Sequence, residues 1–131
     1  VTYKLHAKPI AVWACHCLEC QKLSTSPFSV TAIIASDVIE FAGELKEWSR
    51  VAESGNNNNA KFCPTCGNRI YHYNPEDFGT IKLKLKPTGL SDADLFKPST
   101  HIWVSEKLNW YQLPNDVESF EKQPDINAKK Q

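Results

Sequence analysis

The sequence contains no methionine, only five glycines, no surplus of either charge and no long apolar run. Its 15 basic and 15 acidic residues give a formal net charge of zero, so the composition does not favour a nucleic-acid backbone or an anionic membrane surface as a partner. No apolar stretch approaches the roughly 20 residues that a helix needs to span a bilayer. We therefore expect a protein that binds neither nucleic acid nor membrane.

The missing methionine concerns the front of the chain. Translation starts with methionine, whereas this sequence starts at Val1, so we expect the natural protein to carry further residues before Val1. The stretch from Val1 to Ala14 has no charged start followed by a long apolar segment. It therefore does not resemble a secretory signal peptide.

The five cysteines are clustered, with Cys15, Cys17 and Cys20 in one motif and Cys63 and Cys66 in another. An odd number at such tight spacing argues against a secreted disulfide framework. Reduced thiols that act as metal ligands fit the pattern better. We therefore expect a cytoplasmic protein.

The length of 131 residues and the hydrophobic content of 41% fit one domain, since a chain of this length buries roughly two-thirds of its unfolded surface. Short β-branched and aromatic runs separated by turn residues predict a mainly β fold. The predicted strands are 2–6, 10–16, 28–35, 38–41, 45–51, 60–62, 69–73, 81–85 and 101–104. A short helix or irregular turn is predicted at 17–26, a loop at 55–59 and one helical turn at 92–95.

The connections and the chain end complete this prediction. Pro9 favours a turn between the first two strands. The loop rich in glycine and asparagine implies a hairpin between strands 45–51 and 60–62. We expect a single zinc-binding β domain over residues 1–125 and a frayed tail at 126–131.

The first cysteine motif reads Cys-His-Cys-Leu-Glu-Cys from Cys15 to Cys20. Residues two apart on an extended segment point to the same face, and a following turn can bring in the third sulfur, so the three thiols can converge on one ion. Thiolate sulfur suits zinc, which prefers four tetrahedral ligands at about 2.3 Å. His16 lies between two of these cysteines, and we expect it to point to the opposite face.

The second motif reads Phe-Cys-Pro-Thr-Cys-Gly from Phe62 to Gly67. Cys-x-x-Cys followed by glycine between two strands is typical of a zinc-knuckle turn, because glycine allows positive φ while backbone amides approach the sulfurs. Buried apolar cysteines and a redox pair are the competing interpretations. Two clusters at chelating spacing argue against the first, and the all-β context argues against the second. The sequence therefore predicts zinc.

The spacing leaves open how the five thiols divide between sites. One structural site could use two cysteines of the first motif together with Cys63 and Cys66, which leaves one thiol spare. Alternatively, the first three cysteines hold their own ion, with a fourth position open to water or substrate as in catalytic zinc sites. His72 and His101 are possible additional ligands, although a lone histidine on a strand is more often a packing residue.

The motifs also carry a resemblance to a known family. They read Ala-Cys-His-Cys-Leu-Glu-Cys-Gln-Lys from Ala14, Ser-Pro-Phe from Ser26, Phe-Cys-Pro-Thr-Cys-Gly-Asn-Arg from Phe62 and His-Ile-Trp from His101. In this order and separation they resemble the glutathione-dependent formaldehyde-activating enzyme family, which includes centromere protein V. The resemblance covers about residues 1–125.

The resemblance implies coiled, mainly antiparallel β-sheets around two zinc sites. It assigns Cys15, Cys17 and Cys20 to a catalytic zinc. It assigns Cys63 and Cys66 to a structural zinc, which they share with two cysteines of an upstream Cys-x-Cys-Gly-Ala element. That element is absent from this sequence, so we expect the two partner ligands to lie before the first residue.

The implied reaction adds the thiol of glutathione to formaldehyde and so forms or breaks a carbon–sulfur bond. The expected protein is a carbon-sulfur lyase for a glutathione–aldehyde adduct of the S-hydroxymethylglutathione type, or for a similar small thiol. A zinc ion with three thiolates has a fourth position that can take a thiol and stabilise its thiolate. The alternative is a non-catalytic zinc module for a protein partner, since a fold does not fix a function.

Residues outside the cysteine motifs say less about the substrate. Glu19 is interpreted as a solvated turn residue, and no general base stands at a fixed spacing from the triad. Lys22 and Arg69 are candidate contacts for a glutathione carboxylate. Many members of the family carry Arg and then Ser-Gly after the triad, whereas this chain has Gln-Lys-Leu-Ser-Thr from Gln21.

Overall fold

The computed structural model describes residues 1–52, 55–87 and 90–124, and they fold mainly as β-strands. The strands are β1 (Thr2–Leu5), β2 (Ala11–Cys15), β3 (Ser29–Ala35), β4 (Ile39–Ala42), β5 (Lys46–Val51), β6 (Asn57–Phe62), β7 (Arg69–Asn74), β8 (Asp77–Leu83), β9 (Thr100–Ile102) and β10 (Glu118–Ser119). One α-helix, α1, spans Leu18–Ser24, and 3₁₀ helices span Ser36–Val38, Leu90–Phe96 and Val104–Glu106. Within these described ranges, no helix is long and apolar enough to cross a bilayer.

Eight strands form one sheet in the order β10-β9-β2-β3-β8-β7-β6-β5, while β1 and β4 pair in a separate two-stranded sheet. From β2 to β5 every pairing in the large sheet is antiparallel. At the other edge, β9 lies parallel to β2 and β10 lies parallel to β9. The predicted mainly β fold is confirmed, and its pairing is mostly antiparallel as expected. The sequence did not indicate the parallel edge.

Each face of the large sheet carries a buried apolar cluster. One cluster consists of Val12, Ala32, Ile34, Ile39, Ile81, Leu83 and Phe96, against which residues of β1 and β4 pack. The other cluster consists of Trp13, Cys15, Cys20, Ile33 and Ile102. Alternation along β2 sends Val12 to the first cluster and Trp13 and Cys15 to the second. The first cysteine motif therefore lies on the face opposite the small sheet.

The hairpin predicted between strands 45–51 and 60–62 is confirmed as the pair of β5 and β6. The predicted loop at 55–59 is wrong in part, because β6 begins at Asn57 and continues the ladder as far as Val51. Asn59 is buried in this strand. Pairing with two neighbouring strands outweighs the low strand propensity of asparagine.

Other details differ from the sequence prediction. Pro9 lies between the first two strands as predicted, but these strands belong to different sheets, because β1 pairs with β4 while β2 belongs to the large sheet. The strand predicted at 101–104 ends at Ile102, and Val104 begins a 3₁₀ helix. β8 begins at Asp77, before the predicted start at 81, because Asp77 pairs with Asn74 across a tight turn. The side chain of Asn74 accepts a hydrogen bond from the Glu76 amide at 3.0 Å and stabilises that turn. The tail predicted at 126–131 lies outside the described residues.

Candidate metal centre and its cleft

Cys15, Cys17 and Cys20 come together where β2 ends and α1 begins. Cys15 is the last residue of β2, Cys17 is the N-cap of α1 and Cys20 lies in its first turn. Their sulfur atoms all lie within 4.8 Å of one another. In the part of the chain that the structure describes, they are the only group of three or more Cys, His, Asp or Glu side chains placed to hold one metal ion.

Hydrogen bonds fix the turn that carries the triad. The Cys20 amide donates to the Cys17 sulfur at 3.3 Å, so the N-cap position of α1 is occupied by a sulfur acceptor. The Leu18 amide donates to a carboxylate oxygen of Glu106 at 2.8 Å. The side chain of Gln21 donates to the His16 carbonyl at 2.8 Å and to the Glu106 carbonyl at 3.0 Å. The segment Val104–Glu106 therefore holds the triad turn from outside the motif.

The three thiols share their protons unequally. Hydrogen bonds donated by the Cys15 and Cys17 thiols lower the pKa of Cys20, and the positive charge of Lys84 lowers it further. Hydrogen bonding with Cys17 and Cys20, together with burial, raises the pKa of Cys15. The cluster therefore stabilises a thiolate at Cys20, and a divalent cation would replace the protons on the other two sulfurs.

The geometry and chemistry of the triad fit a zinc ion. Tetrahedral zinc with bonds of about 2.3 Å places its sulfur ligands about 3.8 Å apart, and three sulfurs that all lie within 4.8 Å of one another need only a small adjustment. Thiolate ligands select zinc over harder cations such as magnesium and calcium. Cys15 and Cys20 are buried and Cys17 is half-buried, so the cluster meets solvent on one side.

The triad lines a cleft of about 600 Å³. Three tryptophans also line it: Trp13, Trp48 and Trp103. Its basic lining residues are Arg50, Arg69, Lys82 and Lys84, and its acidic ones are Glu19, Asp77 and Glu106. A zinc ion with three thiolates carries a net charge of about −1. The basic side chains beside the triad can offset this charge.

Lys84 is held next to the triad by the neighbouring strand. Its ammonium group donates to the Thr31 hydroxyl at 2.6 Å and lies 3.4 Å from the Ser29 hydroxyl. Ser29 in turn is the register partner of Cys15. Side chains in register on neighbouring strands share one face of the sheet. Lys84 therefore reaches the sulfur cluster across one strand.

Lys82 lies in the next row of the same face. It is in register with Ile33 on one side and with His72 on the other. Burial lowers the pKa of Lys82, and the charge of Lys84 lowers it further. Lys82 is therefore a cleft residue whose ammonium group gives up its proton more readily than an exposed lysine does.

The comparison with protein families adds a second line of information. The model of the glutathione-dependent formaldehyde-activating enzyme family matches residues 1–106, which contain both cysteine motifs. The chain belongs to this family. A search of curated proteins found no match. The predicted resemblance is confirmed, and it supports a function connected with glutathione and formaldehyde.

Two histidines of this family member pack on the other side of the motif. His16 is fully buried, and its Nε2 lies 2.8 Å from Nδ1 of His101. The ring centroids of Phe28 and Tyr111 lie 5.0 Å and 5.4 Å from the centroid of the His16 ring. Burial, followed by the nearby His101 and Lys107, lowers the pKa of His16 to about 4. The expectation that His16 points away from the sulfurs is confirmed, and His101 does not join them either.

Cys63 and Cys66 lie on the turn between β6 and β7, as a zinc-knuckle hairpin requires. The Gly67 amide donates to the Cys63 carbonyl at 2.8 Å, and Gly67 has a φ of 78°. Hydrogen bonds from the backbone amides of Cys66 and Thr65 lower the pKa of the Cys63 thiol. Neither cysteine joins the first three in a ligand group. The arrangement with one shared structural site is therefore not formed in this structure.

The remaining candidate side chains separate clearly. Lys22 is 75% exposed and does not line the cleft, so it belongs to the outer surface of α1. Its ammonium group lies 3.4 Å from a carboxylate oxygen of Glu19, which is at the edge of the cleft. Arg69 lines the cleft instead. Sequence reasoning missed Lys82, Lys84 and Glu106. These residues are far from the cysteine motifs along the chain, so the sequence does not indicate that they lie near the triad. The two lysines could have been placed there only from the register of the strands.

Proposed function

We propose that this protein is a zinc-dependent carbon–sulfur lyase that forms or cleaves the adduct of glutathione, or of a similar small thiol, with formaldehyde. One observation carries the proposal: three sulfurs that fit zinc converge at the wall of a cleft large enough for a small thiol. Family membership supports the thiol and the aldehyde. The reduced cysteines required for this role fit a cytoplasmic location.

The reaction balances without an oxidant or reductant. The thiol sulfur attacks the formaldehyde carbon, a carbon–sulfur bond forms, and the carbonyl pair of electrons moves to oxygen. The proton that the thiol loses ends on this oxygen and gives a hydroxymethyl group. Cleavage of the adduct reverses each step.

In this proposal Cys15, Cys17 and Cys20 hold the catalytic zinc. Cys63 and Cys66 contribute two ligands to a structural zinc, and the position of the other two ligands before the first residue stays a prediction. When bound at the triad, zinc supplies a fourth coordination position that favours the thiolate form of a substrate thiol.

Two lysines have roles that follow from their positions. Lys84 offsets the negative charge of the thiolate cluster, because its ammonium is held beside Cys20 by the Thr31 hydroxyl. Lys82 is suited to hold the proton that passes from thiol to oxygen, because burial lowers the pKa of its ammonium group.

The rival function is a non-catalytic zinc module that binds a protein partner. Such a module needs no vacant position at its metal, and two closed four-ligand sites would serve it. A group of three sulfurs beside a cleft supports the enzyme instead.

Cobalt(II) substitution tests the proposed site. We expect glutathione at millimolar concentration to strengthen the thiolate-to-cobalt charge-transfer bands, because a vacant position beside three thiolates prefers a soft donor. S-Methylglutathione, which has no free thiol, should leave the bands unchanged. The Cys20→Ala variant should hold less zinc than the parent by elemental analysis.

Two results would contradict this proposal. A spectrum that ignores glutathione and other small thiols would make the partner-binding module the better explanation. An unchanged zinc content in Cys20→Ala would show that Cys20 is not a ligand.

A further inference from the structure

A β-bulge turns Arg69 into the cleft. Along β6, Lys61 and Phe62 are consecutive, but their partners on β7 are Tyr71 and Arg69, so Ile70 is an extra residue. A bulge of this kind reverses the alternation of side chains beyond it. Arg69 consequently faces the same side as His72, although the two are three residues apart on one strand.

Two contacts then fix the Arg69 side chain. Its guanidinium carbon lies 5.1 Å from the ring centroid of Trp48, and its Nη1 donates to Nε2 of His72 at 3.1 Å. Trp48 is in register with Ala60, and Ala60 is in register with His72. The three residues therefore form one row across neighbouring strands, and the small, fully buried Ala60 lies between the two that hold the guanidinium.

His72 is suited to accept this hydrogen bond. It is 4% exposed, and burial together with the charges of Lys84 and Arg69 lowers its pKa to about 3. The ring is therefore neutral at physiological pH, and one of its nitrogens is free of a proton. A charged histidine at this place would repel the guanidinium.

The guanidinium has donors to spare. It carries five N–H groups, and the bond to His72 uses one of them. Among residues 1–52, 55–87 and 90–124, no carboxylate forms an ion pair with Arg69. The guanidinium of Arg69 lines the cleft of the cysteine triad and has no carboxylate partner in these ranges. Its planar arrangement of N–H donors therefore matches the two oxygens of a ligand carboxylate.

We propose that Arg69 is a specificity-determining residue that binds a carboxylate of the thiol substrate, and that Trp48 and His72 are the residues that position it. The thiol end of this assignment rests on the proposed function. The substrate class is then a thiol that carries a carboxylate away from its sulfur, and uncharged small thiols bind poorly. The competing explanation is that Arg69 only ties β5 to β7.

Calorimetric titration with S-methylglutathione and with its diethyl ester separates these explanations. Neither probe has a free thiol, so their difference reports the carboxylates alone. We expect the parent protein to bind the acid about tenfold more tightly than the ester. In Arg69→Gln the ratio should fall to about one, while circular dichroism shows the parent fold.

Matched variants sharpen the comparison. Lys22→Gln removes the same charge from the outer surface of α1 and should keep the parent ratio. Arg69→Lys keeps the positive charge but loses the paired N–H donors of the guanidinium. Its ratio of acid to ester affinity should therefore lie between those of the parent and Arg69→Gln. Trp48→Leu removes the cation–π contact of the guanidinium, and His72→Phe removes its hydrogen-bond acceptor. Each variant keeps Arg69 but positions it less well, so each should lower the affinity ratio in part.

The outcomes are distinct from those of the cobalt experiment. If Arg69→Gln keeps the parent ratio, or if the parent binds acid and ester equally, the assignment of Arg69 is wrong even where glutathione perturbs the cobalt spectrum. If the ratio depends on Arg69 while the cobalt spectrum ignores glutathione, the carboxylate site stands and the lyase does not.

Discussion

At the scale of single residues, His16 links the cysteine motif to the interior behind it. Its backbone lies between Cys15 and Cys17, and its ring is fully buried against His101 and two aromatic rings. A buried imidazole without a carboxylate partner favours its neutral form. The histidine inside the motif is therefore uncharged at neutral pH.

The stability of the protein should for this reason fall in acid. The pKa of His16 is about 4 in the folded protein, against 6.5 for an ordinary histidine. Between these two pH values, His16 is protonated in the unfolded chain but neutral in the folded protein. The stabilisation is complete above pH 6.5 and is lost as the pH falls towards 4. We expect the free energy of unfolding to drop by up to about 1.4 kcal/mol per pH unit more steeply in the parent than in His16→Asn.

Urea titrations of the two proteins at several pH values measure this difference. Both proteins are titrated in their metal-free form, so that the release of zinc in acid does not contribute to the comparison. Equal slopes for parent and variant would show that His16 is not held neutral.

At the scale of elements, the triad turn depends on a segment far along the chain. The 3₁₀ helix Val104–Glu106 supplies a carboxylate to the Leu18 amide and a carbonyl to the side chain of Gln21. A carboxylate at a helix N-terminus satisfies a free amide and complements the helix dipole. Groups that orient metal ligands from outside contribute to metal affinity.

The Glu106→Ala variant should therefore bind zinc at the triad at least about tenfold more weakly. Competition with a chromophoric chelator measures this affinity. Glu44→Ala, which removes an exposed carboxylate from a loop, should match the parent. Equal affinities in all three proteins would mean that Glu106 does not support the site.

The same element shows what local sequence can and cannot predict. Alternation along β2 and the turn after it depend only on neighbouring residues, so the convergence of Cys15, Cys17 and Cys20 follows from their spacing. The hydrogen bond from Leu18 to Glu106 joins residues 88 positions apart. Nothing in the spacing of either segment indicates that pairing.

Strand register hides the rest of the site in the same way. Lys84 reaches the triad only because β8 pairs with β3, and Arg69 enters the cleft only because β7 carries a bulge. A shift of one residue in either pairing would send these side chains to the other face. The convergence of the three cysteines could therefore be predicted from sequence, whereas the charged surroundings of the triad required the structure.

At the scale of the whole molecule, the large sheet separates two tasks. One face packs against β1 and β4 and forms a conventional apolar core. The other face carries the triad, the tryptophans and the basic residues of the cleft. A rigid sheet can therefore hold the sulfurs and the fixed guanidinium of Arg69 at constant separation.

The exchange of formaldehyde between its free form and its glutathione adduct tests the lyase most directly. In a mixture of glutathione and ¹³C-formaldehyde, exchange NMR measures how fast the carbon–sulfur bond forms and breaks. We expect the zinc-loaded protein to accelerate this exchange, Lys22→Gln to match it and Cys20→Ala to lose the acceleration. If the exchange is no faster with the zinc-loaded parent than in buffer alone, this result contradicts the assignment of the protein as a lyase.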